Sequence, residues 1–211
     1  MEPNCQGVSN RRAFPCPAVR DWDISSLINE CSDCDGYYMY CCQHNEGQAC
    51  HHFPVFFIDG ACSQNGKPNA KAGVGIVSGN DEDQRFSIAI TDDVDDFPLR
   101  SNQRAELLAA YLGLLKLKDL MELRIEHLSL EDLVSNHSNP SNPSLCPIVA
   151  TDSEYVVKGV TEWLPKWKVC FKSRDMCGSS LSNRRASEIT SKLQKEFHQQ
   201  TWICFLKLKR K

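Results

Sequence analysis

Two apolar runs in this chain are each followed closely by an aspartate, and this arrangement most constrains how the chain can fold. Asp59 follows the run 55–58, and Asp152 comes two residues after the run 145–150. Short runs of β-branched and aromatic residues predict buried strands with rigid backbones. A third acid, Glu106, lies in the first turn of a predicted helix. Because acids at element ends can converge on one point, we expect a shared site for divalent cations.

The remaining pattern predicts a mixed α/β domain with the element order β-β-β-α-β-α-α-β. Ser101 or Asn102 can cap the first helix, and Ser153 or Asp152 can cap the second. No clear period runs through residues 1–22, where we expect a loop or partial disorder. The predicted strands are residues 55–58, 73–77, 86–90, 145–150 and 201–208, and the predicted helices are residues 102–118, 154–164 and 186–200.

Charge is unevenly distributed along the 211 residues. Residues 1–150 hold 11 Lys/Arg and 21 Asp/Glu, a net of −10, and residues 151–211 carry a net of +7. An acidic metal-binding half beside a basic half suits a nuclease, although a solvated basic tail explains the same asymmetry. No apolar run approaches the roughly 20 residues of a membrane span, and the N-terminus lacks the apolar core of a signal peptide. We expect a soluble intracellular monomer without a membrane partner.

A dense Cys/His segment precedes the predicted domain. Seven of the 12 cysteines lie within residues 5–50, and one pair has the spacing Cys-x2-Cys. These ligand types suit structural zinc, whereas reduced cysteines without metal are the alternative and disulfides are disfavoured. We therefore expect a Cys/His-rich extension over residues 1–53 before a domain over residues 54–211. Candidate zinc ligands are Cys31, Cys34, Cys41, Cys42, His44 and Cys50.

Four motifs in one order resemble those of the type 1 ribonuclease H family. They are FFIDGACSQNG at 56–66, SNQRAELLAA at 101–110, IVATDSEYVVKG at 148–159 and a Trp/Lys-rich stretch at 163–168. The resemblance spans about residues 54–208 and implies an RNase H-like five-stranded mixed β-sheet flanked by α-helices.

The same resemblance implies an activity. The family hydrolyses the RNA strand of RNA–DNA hybrids and leaves 5′-phosphate and 3′-hydroxyl ends. Asp59, Glu106 and Asp152 match its catalytic acids, which bind two Mg²⁺ ions, with Mn²⁺ able to substitute. Two cations on clustered acids are a general device for cutting phosphodiesters.

Three amide side chains match family residues that read ribose 2′-hydroxyl groups. They are Asn65, Asn102 and Gln103. Amides suit this task because they both donate and accept hydrogen bonds. Turn and cap chemistry is the alternative explanation for the two asparagines.

Other positions match the family's contacts to the DNA strand. Ser101 and Asn183 match residues that hold a phosphate, and neighbouring Arg100 would assist them. Tyr155 and Trp163 match aromatics that line the DNA-strand channel, although core packing is the usual role of such aromatics.

The pattern departs from the family beyond the last predicted strand. There the family has a His and then a fourth catalytic Asp, and no Asp follows position 175 here. We therefore expect a truncated or impaired enzyme, with part of one sheet face uncovered. The rival hypotheses are a non-catalytic hybrid-binding module and a related polynucleotidyl transferase. The 101–110 motif argues against the transferase.

Overall fold

A computed structural model describes residues 7–9, 12–14, 19, 21–32, 34–40, 53–127, 147–163 and 204–208 of the chain. Its helices are α1 (Ile24–Leu27), α2 (Asn102–His127) and α3 (Glu154–Lys158), and α3 continues as a π-helical turn over Gly159–Trp163. Within these residues, no helix is both long and apolar enough to cross a membrane. Its strands are β1 (Gly7–Ser9), β2 (Arg12–Phe14), β3 (Ile28–Glu30), β4 (Tyr37–Met39), β5 (Val55–Ser63), β6 (Lys71–Val77), β7 (Arg85–Ala89), β8 (Ile148–Thr151) and β9 (Cys204–Lys207).

The main sheet has the order β1-β2-β9-β8-β5-β6-β7, and β3 pairs with β4 in a second sheet. Strands β5, β6 and β7 form an antiparallel meander, whereas β8 and β9 run parallel to β5. The predicted mixed sheet is therefore confirmed. The five predicted strands are β5 to β9, and β1 and β2 extend the sheet to seven strands. The predicted helix at 186–200 lies outside the described residues.

The predicted loop over residues 1–22 is wrong at two places. β1 and β2 form a hairpin, and Arg12 of β2 pairs in parallel with Phe205 of β9. Strands of three residues are too short for an alternating pattern to register. Two predicted elements are also too short at their C-terminal ends. The strand predicted to end at 58 continues to Ser63, and the helix predicted to end at 118 continues to His127.

One face of the sheet is buried under α2 and α3. Phe56 and Ile58 of β5 and Val149 of β8 point to this face and pack against Leu114 and Val156 of the helices. Successive residues of a strand point to opposite faces of the sheet. The apolar residues between those named here therefore point to the other face, which another element must cover.

The N-terminal segment covers part of the opposite face. Met39 of β4, 1% exposed, packs with Val55, Ile148, Ala150 and Leu206. Backbone hydrogen bonds also attach β4 to the rest of the domain: Met39 N donates to the Phe53 carbonyl, and Tyr37 N donates to the Ser78 carbonyl. The expectation of an uncovered face is therefore wrong at these strands.

The packing of β4 predicts that the N-terminal segment stabilises the sheet. Met39→Ala should lower the free energy of unfolding by about 2–5 kcal/mol, because it leaves a cavity in a buried cluster. Chemical denaturation measures this value. Ile24→Ala, which shortens a 38% exposed side chain of the same segment, should change it by less than about 0.5 kcal/mol. Equal effects of the two substitutions would contradict the role of β4.

A close approach of α2 to β5 predicts a second effect on stability. A methyl group at Gly60 would lie 2.3 Å from the carbonyl carbon and oxygen of Ala105 and 2.4 Å from Glu106 N. Gly60→Ala should cost about 1–3 kcal/mol or more, since backbone atoms cannot move aside as a side chain can. Thermal or chemical unfolding measures the loss.

Gly75→Ala is the matched control, because a methyl group there would have no neighbour within 4 Å and Gly75 lies opposite Asp59 on β6. A Gly60→Ala protein as stable as Gly75→Ala would show that α2 does not lie this close to β5.

Candidate metal centre and nucleic-acid interface

The register of two parallel strands brings two of the predicted acids together. Phe57 of β5 pairs with Ala150 of β8. Asp59 lies two residues further along β5, and Asp152 lies two residues after Ala150, directly past the end of β8. Neighbouring strands lie about 4.8 Å apart. The two aspartates therefore project from the same edge of adjacent backbones.

The third acid reaches this edge from α2. Ser101 caps the helix, because its Oγ accepts from Arg104 N at 3.3 Å and its carbonyl accepts from Ala105 N at 2.9 Å. The missing side chain of Gly60 lets Ala105 and Glu106 lie against β5 directly beside Asp59. Since α2 begins at Asn102, Glu106 lies in its second turn, and the predicted place in the first turn is wrong.

The three acids form one group. One carboxylate oxygen from each of Asp59, Glu106 and Asp152 lies within 4.8 Å of the other two. Asp59 is exposed, whereas Glu106 Oε2 and Asp152 Oδ1 are buried from water. Hard cations such as Mg²⁺ prefer oxygen ligands at about 2.0–2.1 Å, so the donor set fits such ions. Within the described part of the chain, it is the one group of three or more such ligands.

The predicted amides fix the turn after β5 against the start of α2. Asn65 Oδ1 accepts from Asn102 N at 3.0 Å, and Asn102 Oδ1 accepts from Cys62 N at 3.0 Å. Gly66 N donates to the Arg100 carbonyl at 2.8 Å. These hydrogen bonds are turn and cap interactions. They also fix the orientation of two exposed amide groups near the acids. Gln103 is exposed at the same helix start.

Two of the predicted contacts to the DNA strand lie directly before α2. Arg100 is 7% exposed, and its guanidinium contacts Asp92, Asp95 and the Phe97 carbonyl. Ser101 is partly buried at the helix cap. The roles of both toward phosphate stay predictions.

The predicted aromatics lie together in the helical segment that follows β8. The rings of Tyr155 and Trp163 meet edge to face, with centroids 5.3 Å apart. Ser153 caps their helix by accepting from Val156 N at 3.3 Å. Asn183 lies outside the described residues.

The predicted zinc ligands are described only in part. Cys31 is buried, Cys34 Sγ lies 3.2 Å from the Tyr38 hydroxyl, and neither cysteine is in a disulfide. The other candidates, Cys41, Cys42, His44 and Cys50, lie outside the described residues. Zinc binding stays a prediction.

Sequence reasoning missed two residues that build the site. Gly60 sets the distance between β5 and α2. A glycine inside a strand is a known signal of close backbone approach, but the predicted strand ended at residue 58, before Gly60. Asp95 binds the Arg104 side chain through both of its oxygens. No local pattern distinguishes it from Asp92, Asp93 and Asp96 in the same acidic run.

Comparison with known proteins gives a consistent family. The family model described as RNase H matches residues 52–206. Ribonuclease H of Schizosaccharomyces pombe is 30% identical over 125 residues, which cover 59% of this chain and 36% of that protein. Ribonuclease H of Nitrosomonas eutropha is 32% identical over 113 residues, covering 53% of each. The chain thus spans between about a third and a half of these relatives' lengths.

Solved structures of the same kind are more distant. The solution structure of the PFV RNase H domain is 20% identical, with a TM-score of 0.44 over 74% of this chain and 78% of that domain. An N-terminal RNase H domain from Mycobacterium tuberculosis, fused to maltose-binding protein, is 16% identical, with a TM-score of 0.37 over 75% and 88%. Both scores lie below 0.5, so these likenesses add no weight to the assignment. Since the family model covers most of the chain and includes all three clustered acids, the chain belongs to the RNase H family.

Proposed function

We propose that this chain is an endonuclease that hydrolyses the RNA strand of RNA–DNA hybrids with two Mg²⁺ ions. The observation that carries the proposal is the meeting of Asp59, Glu106 and Asp152 from β5, α2 and the end of β8. Family membership supports the same reaction. Mn²⁺ is expected to substitute, because it also accepts oxygen ligands in octahedral sites.

The acids have separate tasks in this proposal. Asp59, the exposed acid of the three, and Asp152 would hold the cations. Bound cations supply Lewis-acid stabilisation of the attacking and leaving oxygens. Glu106 accepts a hydrogen bond from the attacking water and orients it toward phosphorus. The water oxygen forms a new bond to phosphorus as the P–O3′ bond breaks. The water gives up one proton to solvent and O3′ takes one from solvent, so one water is consumed and the products carry a 5′-phosphate and a 3′-hydroxyl.

The fixed amides supply the choice of strand. Asn65 and Asn102 are oriented by backbone N–H groups, and Gln103 lies exposed beside them. A ribose 2′-hydroxyl both donates and accepts, so an amide already held in place can bind it with little loss of entropy. We propose that these groups contact the RNA strand, while Ser101 and Asn183 hold a DNA phosphate and Tyr155 and Trp163 line the DNA side.

A hybrid-binding module without turnover is the second candidate. It is favoured by the size of the acidic group, because the described residues contribute three carboxylates where the family motif has four. Such a module would retain the amides and aromatics and bind hybrids without cutting them. Binding and cleavage must therefore be measured on the same protein.

Removing the carboxylate charge of Asp59 should abolish cleavage. Asp59→Asn should lower the rate of Mg²⁺-dependent cleavage of a hybrid by at least about 100-fold, since it removes a ligand of the cations that would stabilise charge at the reacting phosphate. Its free energy of unfolding without metal should be unchanged or higher, because three close carboxylates repel one another. A labelled hybrid on a denaturing gel measures the cleavage.

Asp119→Asn serves as the control, because it removes one exposed carboxylate from α2 away from the acidic group. An Asp59→Asn protein that cleaves as fast as Asp119→Asn would refute catalysis at this site. Hybrid binding by the unmodified chain, with no turnover in Mg²⁺ or Mn²⁺, would favour the module.

A further inference from the structure

One carboxylate outside the metal centre lies between two guanidinium groups and is nearly withdrawn from water. Asp95, in the loop between β7 and α2, is 7% exposed. Its Oδ2 accepts from Arg104 Nε at 2.5 Å, and its Oδ1 accepts from Arg104 Nη2. Arg100 Nη1 lies 3.6 Å from Asp95 Oδ2. Bidentate pairing of this kind fixes direction as well as distance.

Phe97 connects the two arginines within the same loop. Its ring lies under the Arg104 guanidinium, with Cζ 4.3 Å from the ring centroid. Its carbonyl accepts a hydrogen bond from Arg100 Nη1. Both guanidinium groups are therefore held by the loop that Asp95 occupies.

The two arginines flank the segment proposed to read the substrate. Arg100 directly precedes Ser101, and Arg104 directly follows Gln103. The Arg100 carbonyl also accepts from Gly66 N, which follows Asn65 in the neighbouring turn. One buried carboxylate thus fixes both ends of the segment that carries two of the three proposed ribose contacts.

The charges of this cluster compensate one another. Asp92 and Asp95 oppose Arg100 and Arg104, whose side chains are only 8% and 11% exposed. Burial raises the pKa of Asp95, but the hydrogen bonds and charge of Arg104, with Phe97 N and Arg100, lower that pKa below its ordinary value. Asp95 is therefore ionised at neutral pH, and this pairing is lost only as acid protonates it.

We infer that Asp95 is a positioning residue for substrate discrimination, which acts by holding Arg100 and Arg104 so that the Ser101–Gln103 segment presents a fixed surface to ribose. This inference rests on the proposed function. It reassigns Arg100 from a phosphate contact to a structural one. The metal centre has a separate support, the contact of Gly60 with Ala105.

The test compares Asp95→Asn with Asp92→Asn. Both remove one carboxylate that pairs with Arg100, but the Asp92 side chain is 94% exposed and makes a single 2.7 Å contact. Fluorescence anisotropy in EDTA measures binding of an RNA–DNA hybrid and of a DNA duplex of the same sequence. Asp95→Asn should reduce the preference for the hybrid at least fivefold, and Asp92→Asn should keep it within twofold.

Kinetics and metal binding separate positioning from general damage. With Mg²⁺, Asp95→Asn should raise KM for the hybrid at least fivefold and change kcat less than threefold. Mn²⁺ affinity should change less than twofold. If Asp95→Asn does not fold, Arg104→Lys decides, because it keeps the charge but loses the bidentate geometry. It should reduce the hybrid preference at least threefold.

Each result has a definite reading. A folded Asp95→Asn protein, or a folded Arg104→Lys protein in its place, that keeps the parental preference and KM overturns the inference. Equal losses in Asp95→Asn and Asp92→Asn also overturn it, because surface charge would then explain both. If the unmodified chain shows no hybrid preference, the proposed function fails and the inference fails with it. If the unmodified chain prefers the hybrid and the variants keep that preference and KM, the inference fails and the proposed function stands.

Discussion

The contact between the backbone of β5 and the first turns of α2 is the constraint on which the rest of the site depends. At Gly60 the strand comes so close to Ala105 and Glu106 that no side chain fits between them. Asp59 and Glu106 then lie side by side, although 46 residues separate them in the chain. Parallel pairing of β5 with β8 adds Asp152 from the other side. The site is therefore a consequence of sheet register and one close helix–strand contact.

Two groups of charged side chains lie near the start of α2, and they differ in how their charges are balanced. The three clustered acids carry like charges and have the oxygen donors that divalent cations require. The neighbouring cluster of Asp92, Asp95, Arg100 and Arg104 is balanced within the protein. Unlike charges held in a poorly solvated site fix geometry, because breaking one partner leaves the other uncompensated. We suggest that the first group performs the chemistry and the second holds the surface that selects the substrate.

The elements of the sheet and the three acids could be predicted from the sequence because their signals are local. Runs such as Val55–Ile58 have the composition of strands, and Ser101 and Ser153 are helix caps as predicted. Each acid stood at an element end, so convergence followed from topology alone. The resemblance of the motifs to ribonuclease H supplied the mixed sheet flanked by helices, which local patterns do not determine.

The remaining features could not be predicted because they depend on long-range contacts. The packing of Met39 on Val55 and Ile148 joins segments that are distant in the chain, and no periodic pattern marks it. Asp95 is one of four aspartates within five residues, and only tertiary structure makes it the buried partner of Arg104. Burial of Arg100 depends on the same loop, so its sequence position suggested a phosphate contact that its surroundings do not favour.

The most direct test of the central claim is anomalous diffraction from crystals of the unmodified chain soaked in Mn²⁺. We predict anomalous peaks within about 2.0–2.6 Å of oxygens from Asp59, Glu106 and Asp152, the range of metal–oxygen bonds to hard cations. The same soak of Asp59→Asn crystals should show these peaks weakened or absent. Peaks found only elsewhere, or carboxylates lying more than about 10 Å apart, would contradict the account.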